Sequence, residues 1–202
     1  MAKILSQTWY QPDKHPLVEL IKRSVILETE LPQAQDGSVR LLQITDTHLF
    51  ASAEGRLLAV RTAESLAAVL EQVQANEHPY EVILATGDLS QDHSPESYQR
   101  FASMMAPLGR PIYWLPGNHD DSPLMTEYLH AAGISESKQL VGDHWQVILL
   151  DTQVRGKPHG MIGDHQLAAL DRALRQYPDR HALITLHHQA VPVGCAWLDQ
   201  HN

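Results

Sequence analysis

From residue 39 onward, apolar positions follow two alternating rhythms. Apolar runs at 39–45 (VRLLQIT), 82–86 (VILAT), 112–115 and 182–186 each predict a strand. Between them, apolar residues recur every three or four positions, the spacing of one helix face. Leu66, Val69, Leu70 and Val73 share such a face over 62–75, with Thr62 as candidate N-cap. Tyr98, Phe101, Ala102 and Met105 share another, after Ser94-Pro95-Glu96, where proline suits a first helical position. Leu124, Tyr128 and Leu129 follow Ser122-Pro123, and Leu167, Leu170 and Leu174 mark one more helix. Gly142-Asp143 predicts the turn of a hairpin into 147–150. Strands alternating with helices of this length predict βαβ units and an α/β sheet.

Residues 1–38 read differently. Pro12 and Pro16 interrupt the start, Leu17, Leu20, Ile21 and Val25 fall at helical spacing, and Pro32, Asp36 and Gly37 read as a loop. This stretch is expected to be an N-terminal extension, a short helix or a disordered arm, ahead of a domain over 39–202.

Composition narrows the possibilities. A chain of 202 residues is one large domain or two small ones. A net charge of −9 disfavours wrapping by a phosphate backbone, so no nucleic-acid partner is expected. No apolar run is long enough for a bilayer, and the first residues lack the apolar centre of a secretory signal. The single cysteine, Cys195, excludes an internal disulfide framework and suits a reducing compartment. Together these features point to the cytoplasm and to no membrane, and they fix no oligomeric state. The 13 histidines raise a metal site as an early hypothesis.

In open α/β sheets, ligands bind beyond the carboxyl ends of the strands. Those positions here carry Asp46-Thr47-His48, Gly87-Asp88, Pro116-Gly117-Asn118-His119-Asp120, Asp151 and His187-His188. Single motifs are weak: composition alone gives about one Asp-x-His, and the chain has four, of which Asp46/His48 directly follows a strand-like run. Gly-Asp occurs three times, and the copies at 142–143 and 163–164 read as a turn and a helix cap. Gly-Asn-His-Asp is more specific, because the chain has only three asparagines. His187-His188 alone could be two ordinary strand-end histidines.

Taken in order, the set suits two divalent cations. Asp46 and His48 can hold one ion. Asp88 can bridge both, having two oxygens, and Asn118 with one histidine of the 187–188 pair can hold the second. Two such ions clamp phosphoryl oxygens and acidify a water to hydroxide near neutral pH. With Asp46, Asp88 and a hydroxide subtracted from two dications, a single positive charge remains to meet a phosphodiester. His119 is placed to give a proton or a charged hydrogen bond to the leaving or non-bridging oxygen.

These motifs resemble the calcineurin-like metallophosphoesterase superfamily: Asp-x-His, then Gly-Asp, then Gly-Asn-His-Asp, then a strand-end histidine. The stretches LLQITDTHLF, ATGDLSQD, WLPGNHD, LLDTQVRGKPHG and LHHQAVPVGCAWLDQH are most similar to the bacterial class III 3',5'-cyclic-AMP phosphodiesterases. The resemblance implies a layered αββα sandwich and a binuclear Fe2+ or Mn2+ centre. It also implies hydrolysis of cyclic AMP to 5'-AMP. By motif, Asp46, His48 and Asp88 would bind one metal, and Asp88, Asn118 and His188 the other. His188 is favoured over His187 because the family's ligand usually precedes a proline by two residues, and Ala190 stands in that place. His48, Asp88, Asn118 and His119 would face the phosphate. Asp151 and His159 are read structurally, as a strand-end cap and a loop residue. The family's later Gly-His-x-His motif is absent, so the chain is expected to be a C-terminally truncated enzyme, with its last strands missing and apolar surface bare. The alternatives are a phosphoesterase acting on another small phosphodiester, or a catalytically impaired metal-binding protein.

Overall fold

The computed structural model describes residues 27–76 and 78–200. In chain order the elements are β1 (Glu28–Glu30), β2 (Leu41–Ile44), β3 (Arg56–Leu57), β4 (Val60–Arg61), α1 (Thr62–Ala75), β5 (Val82–Thr86) and α2 (Pro95–Met105). There follow β6 (Ile112–Leu115), α3 (Ser122–Ala131), β7 (Gln139–Val141), β8 (Trp145–Leu149), α4 (Asp164–Gln176), β9 (His181–Thr185) and a short α5 (Ala196–Asp199). Parallel strands ordered β2-β5-β6 form one sheet, and β1-β7-β8-β9 form a second. β7 and β8 are its antiparallel hairpin, turned at Gly142-Asp143 as the sequence predicts.

The two sheets face each other, with helices outside both. Val82, Leu84, Tyr113 and Leu115 meet Leu31, Leu140, Val147 and Leu149 between the sheets. The alternate residues of β5, Ile83 and Ala85, point outward to Leu66, Leu70, Phe101, Met105, Met125 and Leu129 of α1, α2 and α3. This is why VILAT is apolar without a break: both of its faces are covered. On the outer side of the second sheet, Ile148 and Leu150 pack against Ala173, Leu170 and Leu174 of α4. The layers are therefore helix, sheet, sheet, helix, the αββα sandwich expected.

Local signals held where the side chain itself acts. Ser94 caps α2 by accepting from the Ser97 N–H, and Asp121 caps α3 by accepting from the Leu124 N–H. Thr62 does not cap α1; it is the first helical residue, after Arg61. In α4 the buried residues are Ala169 and Ala173, while Leu167 faces solvent, so the helix is turned from the expected leucine stripe.

Two differences concern the ends of the second sheet. The expected helix around Leu17 to Val25 lies outside the described residues. Glu28–Glu30, inside the expected extension, pairs in parallel with Gln139–Val141, and Leu31 is fully buried. The sandwich thus reaches back beyond residue 39. At the opposite end β9 is an outer strand, and its Leu183 and Ile184 stay exposed.

Candidate metal centre

The loops that leave β2, β5 and β6 stay together past the strand ends. Asp46 N–H donates to the Gly87 carbonyl at 3.0 Å, His48 N–H to the Asp88 carbonyl at 2.9 Å, and Leu49 N–H to the Leu89 carbonyl at 2.9 Å. Asp46, His48 and Asp88 all have positive φ, at 54°, 43° and 51°. Left-handed backbone is uncommon outside glycine, although Asp and His enter it more readily than most, and here the surrounding loops hold it three times in one centre. Two glycines make the close approach possible. A Cβ on Gly117 would sit 2.1 Å from Asp88 Oδ1, and one on Gly87, whose φ is +95°, would sit 2.6 Å from the Gly117 nitrogen.

Asp120 ties the β5 and β6 loops from beneath. Its buried carboxylate accepts N–H bonds from Leu89, Ser90 and Gly117, and the Tyr98 hydroxyl reaches the same oxygen as Ser90. Burial raises its pKa to about 6, against those N–H donors.

Asp88 lies at the centre and is 4 % exposed. Its Oδ1 accepts the His119 N–H at 2.8 Å and lies 3.5 Å from His187 Nε2. Its Oδ2 lies 3.6 Å from His48 Nε2. The two oxygens therefore look toward different partners. His48 Nε2 is in turn 3.8 Å from Asp46 Oδ1, while Asp46 Oδ2 accepts the Thr45 hydroxyl at 2.6 Å. His187 is fixed from behind, because its Nδ1 lies 2.9 Å from the Thr86 carbonyl and donates to it. That leaves Nε2 to face Asp88. A backbone carbonyl behind one imidazole nitrogen is how proteins orient a metal-binding histidine.

Electrostatics follow from this packing. Burial works against ionisation of Asp88 and Asp46, yet His187 on Asp88 and His48 with Thr45 on Asp46 hold both carboxyls below their ordinary pKa. Burial likewise opposes protonation of the histidines, but Asp46 and Asp88 raise His48, and Asp88 lifts His187 to about 9. Without a cation, the carboxylates of Asp46 and Asp88 favour the protonated form of both imidazoles, His187 most strongly. A divalent ion would take the place of those protons.

The donors suit that exchange. One oxygen each from Asp46 and Asp88 and one nitrogen from His187 lie within 4.8 Å of one another. Ligands that each reach about 2.1 Å to one ion lie at most about 4.2 Å apart, so these donors stand at the scale of a metal site. His48 adds a further nitrogen to the Asp46–Asp88 side, and its Nδ1 is buried without a hydrogen-bond partner.

The structure thus brings Asp46, His48, Asp88 and His187 together. Asn118 lies between Gly117 and His119, both of which touch Asp88. The His119 ring packs edge-on to His48, with centroids 5.2 Å apart, and Gln91 lies 3.4 Å from its Nδ1. His188, the histidine expected from the spacing to residue 190, sits beside His187 with ring centroids 5.0 Å apart, and its Nε2 is buried without a hydrogen-bond partner. Its Nδ1 meets the Thr152 hydroxyl at 2.8 Å, and burial next to His187 holds its pKa below the ordinary value. Asp151 follows β8 and accepts the Gln153 N–H at 2.8 Å, and His159 lies in the following loop. Sequence reasoning gave no role to Gln91, Gln153 or the Asp120 carboxylate. Asp120 sat inside a motif already singled out; the two glutamines carried no signal in a polar loop.

A cavity of about 500 Å3 opens beside the centre, lined by Asp46, His48, Leu57, Leu58, Val60 and Val69 among others. No helix among the described residues is long and apolar enough to cross a membrane.

Comparison with known proteins bears on this arrangement. The model of a family described as calcineurin-like phosphoesterase matches residues 39–202. The chain is 51 % identical over 173 residues to a 3',5'-cyclic adenosine monophosphate phosphodiesterase, CpdA, of Escherichia coli K12, covering 85 % of this chain and 63 % of that protein. It is 53 % identical over 168 residues to the CpdA of Vibrio vulnificus, covering 83 % and 61 %. It is 36 % identical over 162 residues to a 3',5'-cyclic-nucleotide phosphodiesterase of Nostoc, covering 80 % and 61 %. The chain spans a little under two thirds of the length of each of these relatives.

Proposed function

This chain belongs to the calcineurin-like phosphoesterase family, and from that premise we propose that it hydrolyses 3',5'-cyclic AMP to 5'-AMP. The observation that carries the proposal is Asp88, a buried carboxylate whose two oxygens face different nitrogen donors, His48 on one side and His187 on the other. The curated relatives named for cyclic AMP supply the substrate. In this reading Asp46, His48 and Asp88 hold one cation, and Asp88, Asn118 and His187 hold a second. His187 takes the place expected of His188, because its Nε2 faces Asp88. Fe2+ and Mn2+ both suit such a mixed nitrogen and oxygen set. The protein is taken as cytoplasmic, in keeping with its lone free cysteine.

Bound there, divalent ions would neutralise phosphate charge and lower the pKa of a water. The chain's own residues do the rest. Asp88 stands between His48 and His187 and sets the spacing of the two cation positions. His119, held by the Asp88–backbone bond and by Gln91, gives a proton to the 3' oxygen as its bond to phosphorus breaks and the water oxygen bonds to phosphorus. His48, packed edge-on against His119, lines the same side of the phosphate site.

The test is release of 5'-AMP from cyclic AMP by the purified chain with Mn2+, beside a panel of other phosphodiesters and a phosphomonoester. Metal-dependent turnover that prefers cyclic AMP supports the reading. Turnover of another diester, or metal binding with no turnover, replaces it.

A further inference from the structure

The loop at 117–120 is strung between the two sheets. Two of its N–H groups face carboxylates: Gly117 N–H donates to Asp120 Oδ2 and His119 N–H to Asp88 Oδ1, while the Asp120 N–H turns back to the Gly117 carbonyl at 3.3 Å. Its carbonyls face the other way. Gln153, beyond β8 in the second sheet, donates from Nε2 to the Gly117 carbonyl at 2.6 Å and to the Asp120 carbonyl at 2.7 Å. Those two carbonyls bracket Asn118 and His119. Gln153 Oε1 accepts the Ser122 hydroxyl at 2.9 Å, at the first turn of α3.

The amide has one possible orientation. Two carbonyls need two hydrogens from one atom, and only the NH2 end has them. The Gln153 backbone is itself held, by its N–H to Asp151 Oδ1 and by a bridge to Gly160. Every polar group of the side chain is thus committed to the loop or to the helix that follows it. Side chains that fix the orientation of ligands without touching the metal are a recurrent part of such centres.

We infer that Gln153 is a positioning residue that fixes Asn118 and His119 against Asp88 by gripping the backbone on either side of them. The inference rests on the reading that this loop serves the second cation and the phosphate. Gln153→Glu keeps the shape and puts an oxygen where the donor was, against two carbonyls. Gln153→Met keeps the bulk and removes the hydrogen bonds.

The test compares the full chain with both variants in cyclic AMP turnover with Mn2+ and in Co2+ titration followed by the visible spectrum. Both variants should keep the wild-type far-ultraviolet circular dichroism, and KM should stay within about threefold, while kcat and the affinity for the second Co2+ each fall about 10- to 100-fold. Wild-type kcat and Co2+ affinity in both variants would overturn the inference, and so would a lower melting temperature as their sole change. If the unaltered chain hydrolyses no cyclic AMP, the functional reading fails by itself. The Co2+ titration then decides the role of Gln153: a weaker second site supports it, and an unchanged one overturns it.

Discussion

The β5–β6 side of the candidate centre and its β2–β9 side are built differently. Asp88 and Asp120, on the first, are buried and take hydrogen bonds from four backbone N–H groups and a tyrosine. On the second, the Asp46 side chain is 53 % exposed, its partner atoms in the centre are a neighbouring threonine and His48, and His187 follows the exposed strand β9. One half is set by folding. The other half has the backbone of Asp46 and His48 set by bonds to Gly87 and Asp88, and the His187 ring by one to Thr86, while its side chains meet Asp88 and one another through charge, at 3.5 to 3.8 Å. The lesson is that the loops after β5 and β6 form a buried floor, and that Asp46, His48 and His187 stand around it with their ligand atoms free for a cation.

The sharpest way to break this contrast is at Asp88, which serves both halves. Asp88→Ala should abolish binding at both cation positions and lower turnover by more than about 100-fold, beyond the range for an outer-shell partner; Mn2+ stoichiometry by calorimetry checks it. Asp120 belongs to the floor alone. Asp120→Ala leaves buried N–H groups of Leu89, Ser90 and Gly117 unpaired and should cost about 3 kcal/mol of stability, read from urea unfolding. His187→Ala should weaken Mn2+ binding at least tenfold with a smaller effect on stability, whereas His188→Ala should leave the metal stoichiometry intact.

Acidity gives a subtler contrast. Without metal, His187 has its pKa raised to about 9 by Asp88. The stability it contributes is complete below its unfolded pKa of 6.5 and is lost as pH rises through 9. Metal binding runs the other way, because the cation must displace that proton. Between pH 6.5 and 9, Mn2+ affinity should rise up to about tenfold per pH unit for each proton released, while metal-free melting temperature falls. The smallest effect belongs to the outer strand: Leu183→Ser should cost about 1 kcal/mol, because Leu183 is 37 % exposed and only partly covered.

How far the chain's letters reveal its structure follows the same division. VILAT and the 112–115 run end where the strands do, because both faces of those strands are apolar and the pattern has no competing period. Gly-Asp and Gly-Asn-His-Asp are readable because close packing admits only glycine at 117. β1 is not readable: Glu-Thr-Glu has no apolar rhythm, and only pairing with β7 makes it a strand. Spacing does not tell His187 from His188, since the two are adjacent, and the contact that orients His187 comes from another strand, the Thr86 carbonyl. Gln153 is silent for the same reason, its partners being 33 and 36 positions away in the chain.

The central claim is that Asp46, His48, Asp88 and His187, distant in sequence, converge around a pair of cations that share Asp88. Anomalous diffraction from crystals grown with Mn2+ tests it most directly. The account predicts two manganese peaks, one bounded by Asp46, His48 and Asp88 and the other by Asp88, Asn118 and His187. Manganese held by His188 with His187 left out, or ordered metal with Asp88 unbound, would contradict it.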